Sequence, residues 1–243
     1  MKIILVIGLL FCFNSFLSAD YQDIVNDFSS LLDNVRGSPY DESRFDVNLY
    51  FSVLTHISME SGYVLDFIYL SSGGDGSPIL ISREELVDRK IIEQEIVNNY
   101  EMDFEKFLEF CSAYTDHVVM EDTVQGYFEL VLLIVMGEQF YLSWHGNYND
   151  RRIIAGDQGI DDVLNQEIEF GQEFSDEFIQ QAENLDPSPV IQDLGDQVMV
   201  KVLTFTKWGG FQTATFLISK NFPHEIQLDG YETVVAYNCG VRF

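Results

Sequence analysis

Basic residues are scarce in this chain: 13 Lys and Arg stand against 40 Asp and Glu among 243 residues, a formal charge of −27. Nucleic-acid binders neutralise phosphate with clustered Lys and Arg, so this balance excludes nucleic acid as a partner and disfavours anionic lipid surfaces. Cysteine is scarce too, with three residues. Such a count excludes a disulfide framework, and the fold must rest on its core. No apolar run reaches the roughly 20 residues that a spanning helix needs, which excludes a membrane span beyond the leader described below. Equally absent are a Gly-x-Ser-x-Gly elbow, a His-Glu-x-x-His helix, a phosphate loop ending in Gly-Lys-Ser/Thr and a Cys-x-x-Cys pair. The four histidines, His56, His117, His145 and His224, stand too far apart in the chain for a local metal site. The sequence calls for no cofactor.

What is present begins with Lys2, an apolar stretch from Ile3 to Phe13, and a small polar segment ending at Ala19. That three-part layout predicts a secretory leader over residues 1–19, cut before Asp20, and hence a periplasmic or extracellular protein. Cleavage would remove Lys2, leaving 12 basic side chains against 40 acids and a formal charge of −28. The composition is 47% hydrophobic and 14% aromatic, far too apolar for a disordered acidic chain. Residues 20–243 therefore read as a single soluble domain whose acidity keeps it solvated. Cys111 and Cys239 survive cleavage. In an oxidising compartment they could close one bridge, or they could be two separate buried thiols.

Hydrophobic periodicity predicts a helix over 20–35, with Ile24, Phe28, Leu31, Leu32 and Val35 on one stripe. Residues 46–57 fit either a strand or a helix starting at Asp46, and the helix is preferred. Tyr63 to Leu70 and Ile79 to Ser82 predict a hairpin about a Gly- and Ser-rich tip. Arg83 to Tyr114 is helix-prone. Strands are expected at Tyr127 to Val135 and Phe140 to Trp144, then short helices near 160–166 and 174–184. The clearest hairpin is Val198 to Trp208 with Phe211 to Ser219 about Gly209-Gly210, and Tyr231 to Tyr237 should close the sheet. Helices mainly in the N-terminal half and consecutive hairpins later predict an α+β fold with an antiparallel sheet.

The most site-like segment runs from Trp144 to Arg152. It gathers His145, Asn147, Asn149, Asp150, Arg151 and Arg152 after an expected strand, where loops carry function on a rigid scaffold. Its two arginines could read a carboxylate or phosphate, and His145 could titrate near neutrality. A turn whose arginines pair with nearby acids is the competing reading. Three weaker constellations remain. Cys111 with Asp116 and His117 could form a thiol site, but an acidic chain offers little to stabilise a thiolate. The acid runs 101–105 and 157–162 lack the spacing of a calcium loop. Trp208 and Phe211 read as a cross-strand core pair rather than an exposed contact. The function expected is a non-enzymatic binding or protein-interaction domain for an unknown protein or small ligand. The alternatives are a small extracytoplasmic hydrolase with its site at 144–152, and a cation-binding surface protein.

Overall fold

The computed structural model describes residues 21–41, 45–72, 74–100, 113–166 and 173–240. The segment 1–19 expected to be a leader, the acid run at 101–105 and Cys111 lie outside the described residues. The architecture is α+β, and every paired strand is antiparallel.

Helix α1, Tyr21–Asp33, buries Phe28 and Leu32 of the expected stripe together with Val25, while Ile24 and Leu31 are partly buried beside them. The ambiguous 46–57 segment divides: Asp46 caps a 3₁₀ turn, Val47–Ser52, by accepting from the Asn48 N–H, and Ile57–Met59 is a short strand, β1. Strands β2, Tyr63–Ser72, and β3, Asp75–Glu84, form a hairpin that includes the Gly76-Ser77-Pro78 segment expected to be its tip. Helix α2, Arg89–Tyr100, and a 3₁₀ turn, Ala113–His117, lead to β4, Val118–Met120, which pairs with β1.

The strand expected at Tyr127 to Val135 is instead a helix, α3, Val124–Met136. Ten of its thirteen residues are buried, so it lies within the core and shows no polar face to mark a helical period. Thr123 starts it by accepting a 3.0 Å hydrogen bond from the Gly126 N–H. Thr123→Ala should cost about 1 kcal/mol in urea unfolding, the usual worth of such a cap. Nor does Phe140 to Trp144 form a strand. Tyr141 and Trp144 both have φ of 50°, a left-handed backbone that a ladder does not accept, and a single bridge joins Ser143 to Gly76.

The main sheet runs in the order β5, β7, β8, β9, formed by Arg152–Ile154, Gln197–Thr206, Gly210–Ser219 and Ile226–Ala236. Strand β6, Val190–Asp193, shares one edge of β7 with β5: β6 pairs with Val198 to Lys201 and β5 with Leu203 to Phe205. The β7–β8 hairpin was legible, although its tip is the three residues after Thr206, with Gly210 taking the positive φ of 87°. Alternation sorts β7 onto two cores. Val198, Val200 and Val202 join the large cluster with α1, α3 and the β2–β3 hairpin. Leu203 and Phe205 face a smaller cluster under two late helices, α4, Asp157–Leu164, and α5, Asp176–Ala182. The second half of the chain thus supplies helices as well as strands. Among the described residues no helix is long and apolar enough to cross a membrane.

Candidate functional site

The segment 144–152 is distributed over both faces of the sheet. Trp144–Tyr148 forms a 3₁₀ turn over the β2–β3 tip. Asp75 accepts from the His145 backbone N–H at 3.0 Å and from the His145 ring at Nδ1, also at 3.0 Å. A carboxylate only accepts, so Nδ1 carries the proton, and Nε2 is left to accept from the Trp144 indole N–H at 3.1 Å. These bonds, the backbone N–H first, hold the Asp75 carboxyl below its ordinary range. Both ring nitrogens of His145 are thereby engaged. Asn147 donates to the Trp144 carbonyl, and Asn149 donates to the Glu138 carbonyl at 3.5 Å.

Asp150 accepts from the Thr206 hydroxyl at 2.5 Å and the Lys207 N–H at 3.0 Å, tying the loop to the hairpin. Burial pushes its carboxyl up despite these donors. Arg151 and Arg152 do not converge. Arg152 pairs with Phe205 in the ladder, lies over that ring at 5.6 Å and donates to Gln166 at 2.9 Å, on the face of the smaller core. Desolvation lowers its pKa, and the charge of Asp162 opposes this. Arg151, one residue earlier, takes the opposite face. Its Nη1 donates to the Thr204 hydroxyl at 3.0 Å and to Gln212 Oε1 at 2.6 Å, and its guanidinium lies 3.7 Å from the centre of the Tyr231 ring. Alternation along an extended chain imposes that separation, so no single anion can be held by both arginines.

On the Arg151 face the sheet and α3 leave a cavity of about 670 Å³. Its apolar wall comes from Ile134 and Val135 of α3, Phe216 of β8, and Ile226 and Leu228 of β9. Tyr114, Glu138, Arg151 and His224 supply its polar groups, with Asn149 beside them. Glu138 follows the end of α3 and accepts from the Leu80 N–H at 2.8 Å. Burial pushes its carboxyl up to about 7, and the Leu80 donor offsets only part of this. Tyr114 is held well above the ordinary phenol range by burial first and by the Glu138 charge second.

His224 is buried, and its Nδ1 lies 3.0 Å from the Ser219 carbonyl. A carbonyl oxygen cannot donate, so Nδ1–H is the donor of this bond. The His224 Nε2 has no hydrogen-bond partner among the described residues. Buried polar atoms are nearly always satisfied, and an orphan one on a residue that lines a cavity marks a place for a polar group.

Sequence reasoning found Asn149 and Arg151 but missed Tyr114, Glu138 and His224. Glu138 lies in a Gly-Glu-Gln turn that reads as solvated, and His224 is isolated in the chain. The usable signal was an acid one glycine beyond seven apolar residues. Cys239 is buried near the described C-terminal end, and its candidate partner Cys111 lies outside the described residues. The 157–162 acids form α4, and among the described residues no group of three or more His, Cys, Asp or Glu could hold a metal ion. No family model, no curated protein and no solved structure matches the chain.

Proposed function

We propose that this is an exported, non-enzymatic binding protein whose ligand is a small molecule with an apolar body and a hydrogen-bonding end, seated between α3, β8 and β9. The observation that carries the reading is the cavity of about 670 Å³, in which an apolar wall meets buried His224, whose Nε2 has no hydrogen-bond partner among the described residues. Small-molecule sites are concave, mostly apolar and fitted with a few placed polar groups, at roughly 300–1,000 Å³. The hydrolase alternative at 144–152 loses support because His145 spends both ring nitrogens on Asp75 and Trp144. Export rests on the layout of residues 1–19, and mass spectrometry of the protein from its native host should find a chain beginning at or near Asp20.

The cavity is tested with 1-N-phenylnaphthylamine, a neutral dye that fluoresces when it leaves water. Fluorescence should rise and saturate with the unaltered protein. In Ile134→Trp, which fills the cavity from α3, the response should fall about tenfold while the circular dichroism is retained. No fluorescence rise, or an equal one in the filled variant, would remove the cavity as the ligand site.

A further inference from the structure

We infer that the ligand's head is a single carboxylate, received by the free edge of the Arg151 guanidinium; this rests on the cavity reading above. Arginine offers five N–H donors in a planar fork. Arg151 spends only Nη1 on protein oxygens, those of Thr204 and Gln212, and both are neutral. The edge formed by Nε and Nη2 has no hydrogen-bond partner among the described residues, and that edge matches the two oxygens of a carboxylate.

The wider charge distribution makes this edge significant. In a chain with 40 acids and 13 basic residues, a guanidinium without a carboxylate neighbour is an exception. Arg36, Arg83 and Arg89 each pair with an acid of the described chain. Arg152 feels the Asp162 charge. Arg151 has no carboxylate within 4.0 Å among the described residues, yet it is held in place by two hydrogen bonds and the Tyr231 ring. An oriented donor pair reduces the ordering that a ligand would otherwise have to impose on binding.

The other lining groups limit the charge of that head. Asp116 and Glu225 are exposed lining residues, and both repel anions. Inside, Arg151 is the fixed positive charge of the lining among the described residues, and the Glu138 carboxyl, pushed up to about 7 by burial, lines the same cavity. One negative charge is therefore matched, while a phosphate monoester or dicarboxylate would bring a second charge with no partner. The apolar wall of Val135, Phe216 and Leu228 takes the hydrocarbon body, and a hydroxyl on that body would satisfy His224 Nε2.

The test uses three ten-carbon probes below their aggregation limits: decanoate, decanol and decylammonium, measured by calorimetry on the full mature chain. Decanoate should bind at least about tenfold more tightly than either of the others, since a charge-assisted pair outweighs a neutral one. Arg151→Gln should lose that advantage, decanoate falling to the level of decanol in the same variant, with its circular dichroism verifying that the fold is intact. Arg151→Lys should recover only part, having charge without the planar edge. Equal binding of all three probes, or tighter binding of decylammonium, overturns the carboxylate inference and leaves the cavity reading standing. If no probe binds and the dye does not respond, both fail together. The comparison among probes needs no variant, so it decides the matter even where Arg151→Gln does not fold.

Discussion

Glu138→Gln is expected to leave stability unchanged near pH 4.5 and to raise it by about 3 kcal/mol at pH 8 relative to the unaltered protein. The carboxyl has an ordinary value of 4.5 and is pushed up to about 7 in the folded protein, first by burial. Between those values the folded state holds a proton that the unfolded chain has released, so stability falls as pH rises. Below pH 4.5 both states are protonated and the contribution is fully present; above pH 7 it has been lost. Glutamine keeps an oxygen for the Leu80 N–H, which donates at 2.8 Å, and never ionises. The other carboxylates titrate alike in both proteins and cancel in the difference. Urea unfolding from pH 4.5 to 8 reads that difference, and a flat one would show that Glu138 is solvated.

Particular elements show what the sequence could reveal. The β7–β8 hairpin was legible because Val198, Val200 and Val202 alternate with partly exposed neighbours along the first half of β7, ahead of a glycine-bearing tip, a pattern that one buried face imposes there. Helix α1 was legible for the same reason at the helical period. Helix α3 was not, because a helix buried on every side erases the contrast between faces and leaves a continuous apolar run. Length and the Thr123 cap were the available arbiters, since thirteen residues exceed the usual strand. The segment after α3 also escaped. The hydrogen bonds from the Tyr141 and Leu142 N–H groups to the Val35 and Arg36 carbonyls are long-range pairings that no local pattern encodes.

The site divides in the same way. Arg151 stood out through its basic neighbour in an acidic chain, but the period of two along an extended segment sends Arg151 and Arg152 to opposite faces. Glu138, His224 and Tyr114 come from a turn, a loop and a 3₁₀ segment, and only the tertiary fold gathers them around one cavity. The position of α3 therefore matters to the site, and a single side chain fastens that helix to the β1 region.

That side chain is Glu129, and Glu129→Leu is expected to destabilise the protein by about 3–5 kcal/mol, the cost of breaking a buried hydrogen-bond network centred on one carboxyl group. Its carboxylate is fully buried and accepts three bonds: from the His56 backbone N–H at 2.6 Å, the His56 ring at 3.1 Å and the Gln125 amide at 2.8 Å. Leucine would fill the space but leave the His56 backbone N–H without an acceptor, and no substitution at position 56 other than proline removes that donor. Glu129→Gln should cost less, about 1–3 kcal/mol, because one oxygen remains while the new amide N–H₂ faces at least one of the three donors. Glu121 supplies the contrast. It approaches the same histidine at 4.0 Å but has a side chain 63% exposed, so Glu121→Gln should change stability by less than about 0.5 kcal/mol. Urea unfolding at pH 7, followed by circular dichroism, measures all three variants. A Glu129→Leu cost below about 1 kcal/mol, or a larger effect at Glu121, would mean that α3 is held by its apolar surface alone.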